Sequence, residues 1–563
     1  MTTCRWVLPD PIEPAEMRKF AAELCVAELT AELLWRRGWR EPGIAAVFLQ
    51  PQLKSLSDPF ELPDMARAVE RILAAIDRRE RIVLYGDYDV DGVTSLALMT
   101  RVLRALGNEP ATFLPHRVDE GYGLSRDGIA RCMEECRPEL LIAMDCGTAS
   151  VPEIAQLQGS GVDVIVVDHH EGKSELPDCV ALVNPKRGTD FRYLCTVGLA
   201  FKVAHALLKR RPLGGFDLRE LLDLVALGTV ADLVPLTGEN RILVKRGLHQ
   251  LANSRWVGVR SLVAVSALKP TFAPADVGFG LGPRLNAAGR LGTARDALEL
   301  LLTEDPGRAR TLAASLDQQN RERRAVEESV YQEAEAELAT WFDPMVHAAI
   351  VVGKRGWHSG VIGIAASRLQ KRHHRPTIVV GFDDAGLGKG SGRSIEGLCL
   401  VKVLEECNGH LEKFGGHEMA AGLTVRETSF EGFRKAFLAA ARLALADEQL
   451  YPKLSLDAEL SLAGIRTGVL AQLEHLQPFG IGHQQPLFYA RAVTLASEPR
   501  VLKEKHLSFA LRQGRDEVRG IWFGGAATPL PALPWDVAFT VEKNEYQGLV
   551  TAQLHVKAVR SAC

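Results

Sequence analysis

Aromatic residues are scarce. Phe, Trp and Tyr make up 6% of the 563 residues, too few for a surface built on extensive base stacking. No apolar run reaches the ~18 residues of a membrane-crossing helix, so no membrane partner is expected. A charged region followed by an apolar stretch is missing from Met1–Asp10, so no secretory leader is read and the expected compartment is the cytoplasm. The 10 cysteines include no C-x-x-C pair, which argues against a zinc ribbon and for free thiols. Net charge is also nearly absent, with 67 Lys and Arg against 70 Asp and Glu for a formal −3. A nucleic-acid binder with this balance needs a local basic channel, because the whole molecule supplies no long-range attraction.

The composition, 47% hydrophobic and 24% charged, is that of a folded protein, and the length predicts three or four domains. Residues 1–75 mix Pro and Trp with short helical patterns and show no recognisable chemistry. From 76 to 293, apolar runs such as Arg81–Gly86, Leu140–Met144 and Val162–Val167 alternate with helical stretches, which predicts a doubly wound parallel sheet. Residues 294–345 have helical spacing and read as one long connecting helix. A second α/β pattern fills 346–450, and shorter β-type segments over 455–563 predict a small barrel, for an α/β multidomain class overall.

Three of the candidate strands end in ionisable residues. Ile82–Gly86 runs into Asp87-Tyr-Asp89-Val-Asp91, Leu140–Met144 into Asp145, and Val162–Val167 into Asp168-His169-His170. In an open parallel sheet these endings converge beyond the strand carboxyl ends. Converging carboxylates repel unless a cation lies among them, and aspartate oxygens with imidazole nitrogens suit Mn²⁺ or Mg²⁺. The opening Asp87–Gly92 also matches a calcium loop, D-x-D-x-D-G, but the twelfth position is Leu98 where that loop needs Glu. Alone, Asp145 reads equally as a helix cap, and the Asp-His-His run equally as a solvated loop. Three such endings in succession do not read as coincidence. Asp232 follows an apolar stretch and is a candidate last ligand, although Asp before Leu-Val-Pro also suits a plain turn.

With these groups in order, the chain resembles the RecJ branch of the DHH phosphoesterase superfamily. The resemblance rests on the Asp168-His169-His170 triplet and on further motifs from about residue 80 to the C-terminus. They include Pro283-Arg-Leu-Asn-Ala-Ala-Gly-Arg290, Trp357-His-Ser-Gly360, Gly390-Ser-Gly-Arg-Ser394, Phe414-Gly-Gly-His417 and Pro478-Phe-Gly-Ile-Gly482. One departure is Gly482-His-Gln484, where relatives usually read Gly-Asn-Pro.

The resemblance implies a DHH domain, a connecting helix, a DHHA1 domain and an OB-fold. It also implies a 5′→3′ exonuclease on single-stranded DNA that releases 5′-mononucleotides in DNA repair and recombination. Two divalent cations, Mn²⁺ or Mg²⁺, would be held by Asp87, Asp89, Asp145, His169 and Asp232, with Asp145 between them. His170 would face the scissile phosphate, making it and Asp145 the catalytic pair, while Asp91 and Asp168 would support the ligands from behind. Ser391, Arg393 and Arg117 would capture the 5′-terminal phosphate.

Arg284, Arg290 and His358 are phosphate-contact candidates, with rim ion pairs as the ordinary alternative for the arginines. Gly415, Gly416 and His417 either let backbone approach DNA or serve tight packing. Implied partners are a single-strand-binding protein and a DNA helicase, with the protein itself a monomer. Two rival readings remain: a phosphodiesterase for short oligonucleotides or cyclic dinucleotides, and a non-catalytic replication scaffold.

Overall fold

The structure is a computed structural model that describes residues 4–115, 120, 123–291, 293–466, 468–546 and 548–562. The apolar runs form the first sheet. Its strands are β1 (Ile82–Gly86), β2 (Ala111–Phe113), β3 (Leu140–Met144), β4 (Asp163–Val167) and β5 (Ala181–Val183). They pair in the order β2-β1-β3-β4-β5, all parallel. Every residue of β1 and β3 is buried, as expected where helices cover both faces. The strand order reverses between β1 and β3, so the loops leaving their carboxyl ends share one crevice. Around this sheet lie α1 (Val90–Ala105), α2 (Thr196–Arg210), α3 (Leu222–Ala231), α4 (Gly238–Ala252) and α5 (Gly282–Leu291).

The single helix expected over 294–345 is two. A short helix, Arg295–Leu302, ends before the 36-residue α6 (Pro306–Trp341). Pro306 has no N–H to continue a helix and takes the first turn of a new one, where Asp305 accepts from the Gly307 N–H at 2.7 Å. At 1.5 Å per residue, α6 reaches about 54 Å.

The second sheet contains β6 (Ile350–Arg355), β7 (Thr377–Phe382), β8 (Leu387–Arg393), β9 (Lys413–Gly416) and β10 (Ala420–Arg426), in the order β9-β10-β8-β7-β6. Only β6 and β7 are parallel, and α7 (Ser359–His373) joins them. The Gly-rich stretch around Ser391 lies in a strand, not a turn. Gly390 and Gly392 occupy its tightly packed face, where a Cβ would come within 2.6 Å of Leu423 and 2.7 Å of Ile378. The intervening Ser391 and Arg393 therefore emerge on the opposite face, beneath α7.

In the C-terminal part β11 (Phe488–Leu502), β12 (His506–Gln513), β13 (Asp516–Trp522), β14 (Trp535–Tyr546) and β15 (Leu549–Ser561) close into a barrel, with β14 returning to β11. The described part of residues 1–75, where the sequence showed no legible chemistry, divides between two cores: Leu62, Met65, Val69 and Ile72 pack with the first sheet, whereas the helices before them support the barrel. Met17, Phe20, Leu33, Leu34 and Phe48 share one core with Phe488, Phe509 and Trp535 of the barrel. Arg5–Val7 also pairs in parallel with Lys453–Ser455.

Arg241 of α4 ties three parts of the molecule together. Its buried guanidinium donates to the carbonyls of Phe48, Leu476, Gln477 and Pro478 at 2.8–3.0 Å and lies over the Phe48 ring. Burial lowers its pKa to about 9, so it is still charged at neutral pH. Arg241→Met keeps the apolar stem but strands four buried carbonyls. We expect a loss of about 3 kcal/mol, read as a lowered urea midpoint for tryptophan fluorescence.

Candidate metal centre and phosphate corner

The loop after β1 carries Asp87 and Asp89. Asp89 caps α1, accepting from the Asp91 and Gly92 N–H groups at 2.9 and 3.2 Å. Asp145 follows β3 with a left-handed backbone, φ 66°, which Asp tolerates better than most residues and which recurs at functional sites. His169 and His170 follow β4, and Asp232 ends α3.

These side chains meet in the crevice. His169 Nε2 lies 3.4 Å from Asp232 Oδ2, 3.5 Å from Asp145 Oδ1 and 3.9 Å from Asp91 Oδ2. Oxygens of Asp87, Asp89 and Asp145 lie within 4.8 Å of one another, and so do ligand atoms of Asp145, His169 and His170. All five residues expected as ligands thus come together.

The electrostatics show what the cluster suits. Burial, then the charges of Asp91, Asp89, Asp87 and Asp232, hold the Asp145 carboxyl well above the usual range. Burial, then Asp91 and Asp89, push Asp232 to about 9. Burial and the His170 charge push His169 down to about 3, so its ring is neutral and fit to donate a lone pair. His169 Nε2 and Asp232 Oδ2 are buried and make no hydrogen bond to any described residue. Divalent cations fit this donor set on both counts, since they relieve the repulsion and take up the orphaned atoms.

Asp91 and Asp168 are already engaged. Asp91 accepts from the Thr196 and Val197 N–H groups at 2.7 and 2.8 Å, capping α2. Asp168 accepts from the N–H groups of Thr148, His169 and His170 and from His170 Nδ1. Burial opposes a charge on His170, but the Asp168 bond and nearby carboxylates outweigh it and raise its pKa.

A second polar corner lies on β8. Arg393 donates to Ser391 Oγ at 3.1 Å and to the Gly392 carbonyl at 2.7 Å. It is half-buried, burial lowers its pKa, and it has no carboxylate partner among the described residues. A half-buried cation without a counter-ion is a ready anion site. Helix α7 reaches this corner at Gly363, where a Cβ would stand 3.0 Å from Ser391 Oγ. Arg290 of α5 donates to the Gly360 carbonyl at 3.0 Å, and α5 in turn meets Tyr88, between Asp87 and Asp89, at Gly289. The corner and the metal centre are thereby joined through α5 and α7.

Three family descriptions match the chain: "DHH family, N-terminal domain" over residues 81–229, "DHHA1 domain" over 343–445 and "RecJ OB domain" over 456–558. The RecJ single-stranded-DNA-specific exonuclease of Bacillus subtilis is 36% identical over 562 residues, covering 98% of this chain and 70% of that protein. The Escherichia coli RecJ is 35% identical, covering 94% and 96%.

The chain belongs to the RecJ family.

Two solved RecJ structures from Thermus thermophilus, one in complex with Mn²⁺ and one with Mg²⁺, superpose with TM-scores of 0.85 and 0.79 at 32% and 30% identity. Each covers 99% of this chain, and the chain covers 79% and 78% of them.

The other residues expected from the RecJ resemblance fall in different places. Arg117 lies outside the described residues. His358 is exposed and caps α7, accepting from the Gly360 N–H. Gly415, Gly416 and His417 lie exposed at the sheet edge, where Gly415 pairs with Gly422 and Gly422 with Ser391. Arg284 is engaged within the protein. Its guanidinium is taken by Asp317 at 2.9 Å and the Gly280 carbonyl at 2.6 Å.

Sequence reasoning missed Thr196, whose hydroxyl donates to Asp145 Oδ1 at 2.9 Å, and Asn184, which donates to Thr148 Oγ1 and the His170 carbonyl. Asn184 follows β5 directly, so the rule that found the other strand endings would have found it. Among the described residues, no helix is long and apolar enough to cross a membrane.

Proposed function

We propose that this chain removes nucleotides from the 5′ end of single-stranded DNA by metal-dependent hydrolysis. Asp87, Asp89, Asp145, His169 and Asp232 would hold two divalent cations, Mn²⁺ or Mg²⁺. Such ions acidify water and neutralise charge on a phosphodiester. The observation that carries the reading is the convergence of these five side chains, two of whose buried atoms have no hydrogen-bond partner among the described residues; Arg393, which has no carboxylate partner among those residues, supports it.

The protein's own groups supply the rest. Thr196 donates to Asp145 Oδ1 and so fixes the orientation of that carboxylate. Asp168 orients His170 and raises its pKa, and the ring is placed to steady negative charge on the phosphoryl group. Ser391 and Arg393 would grip the terminal 5′-phosphate, so that only the 5′ end can seat its first diester at the metal centre. The names of the relatives support single-stranded DNA as substrate, and the OB domain match supports an extended strand contact. A monomer in the cytoplasm, working in repair and recombination beside a single-strand-binding protein and a helicase, completes the proposal.

The test is mononucleotide release from 5′- and 3′-labelled single strands with Mn²⁺, Mg²⁺ or EDTA. Early release of the 3′ label, or full activity in EDTA, would reject this reading. A finer check concerns Asp168. In Asp168→Asn the His170 ring loses its charged acceptor, and we expect kcat to fall about 10- to 100-fold with little change in KM.

A further inference from the structure

Phe279 is 80% exposed, more than any other aromatic residue among those described. A single exposed ring is ordinary on a protein surface, so what sets Phe279 apart is a backbone held in place beside a basic groove. Phe279 is so held. It sits in a π-helical turn, Val277–Leu281, immediately before α5, a rare geometry that recurs at functional sites. Arg284 clamps the turn by bonding the Gly280 carbonyl and Asp317 of α6, and Arg324 of α6 donates to the Phe279 carbonyl at 3.3 Å.

The ring lines a groove of about 540 Å³ between α5, α6 and α7. Five cationic side chains border it (Arg290, Arg323, Arg324, Arg368 and Lys371) against two carboxylates, Glu327 and Glu328. Arg323 and Arg368 pair with those carboxylates at 2.8–3.3 Å. Arg324 and Lys371 have no carboxylate partner among the described residues, so the groove carries excess positive charge in a molecule that is nearly neutral. The helix that forms one of its walls, α5, also packs on the segment that carries Asp232. Where α5 begins, a Cβ on Gly282 would lie 3.4 Å from Ala231, the neighbour of Asp232.

We propose that Phe279 stacks on one base of the bound single strand, while the groove cations hold the phosphates on either side. The inference rests on the exonuclease reading and adds a positioning residue to it. One ring suffices for a sequence-indifferent grip, because every base has a π-face. It also explains how a chain with few aromatics can hold a strand. Stacking would fix how far the strand advances before its terminal diester meets Asp232 and Asp145.

The experiment measures binding of a 3′-labelled single strand by fluorescence anisotropy in EDTA, so that no strand is cleaved. Phe279→Ala should bind about 5- to 150-fold more weakly, and Phe279→Trp should bind like the wild type. A set of strands with one abasic nucleotide, moved a step at a time, should show one position at which the wild type loses affinity and Phe279→Ala loses none. The inference is overturned if Phe279→Ala binds the intact strand as tightly as the wild type, or if its abasic penalties match those of the wild type everywhere. Wild-type protein that binds no single strand at all would remove the exonuclease reading as well, which separates the two failures.

Discussion

Asp145→Asn should cut mononucleotide release by at least about 1000-fold with either Mn²⁺ or Mg²⁺, because several kcal/mol of charge stabilisation pass through the ligand at the centre of the cluster. The same variant should be more stable than the wild type in EDTA. Asp145 is held well above the normal carboxyl range by burial and four neighbouring aspartates, so its charged form opposes folding when no cation is bound. Asparagine keeps an acceptor for the Thr196 hydroxyl and removes the repulsion.

The sign of the pH dependence follows. A carboxyl whose pKa is raised on folding favours the folded state while it stays protonated there, and that stability is lost as pH rises through the folded value. Asp232, at about 9, sets the upper edge, and the unfolded value of about 4 sets the lower. Metal-free wild type should therefore lose stability across this interval, Asp145→Asn should lose less, and Mn²⁺ should flatten the wild-type profile. Differential scanning calorimetry with and without the metal checks all three. Activity that survives, or a variant destabilised in EDTA, would contradict the role of Asp145.

Arg393→Ala carries the second large effect. On strands with a 5′-phosphate, kcat/KM should fall about 10- to 150-fold, the value of a hydrogen bond to a charged group in a half-buried site. On strands with a 5′-hydroxyl it should hardly change. The preference for phosphorylated ends should collapse, while thermal stability should hold, because among the described residues Arg393 bonds only Ser391 and the Gly392 carbonyl. Equal losses on both strands would assign Arg393 to the fold and not to the end of the substrate.

The metal centre was legible because its chemistry sits at strand endings, where the topology of a parallel sheet dictates convergence. Asp87, Asp145 and His169 follow three apolar runs that the sequence displays openly. The supporting contacts were not legible. Thr196 touches Asp145 across 51 positions of chain, and nothing local to a threonine at a helix start announces that bond. Asp91 lies in the same motif as Asp87 and Asp89, yet its carboxylate caps a helix that begins more than 100 residues later. The Arg284–Asp317 pair was hidden for a similar reason, since Asp317 lies on another helix and spacing cannot reveal the pair. The break before α6 could have been read from Pro306. The role of the helices that carry Phe20, Leu34 and Phe48 could not, because their apolar faces match a barrel at the far end of the chain.

That last arrangement bears on synthesis. The helices carrying Phe20 and Phe48 leave the ribosome early, while their partners around Phe488 and Trp535 follow roughly 450–500 residues later. At about 5–20 residues per second, the nascent helices wait on the order of 20–100 s with their oily faces uncovered. Such a delay makes them natural clients for a chaperone, and it places completion of the barrel among the last events of biogenesis.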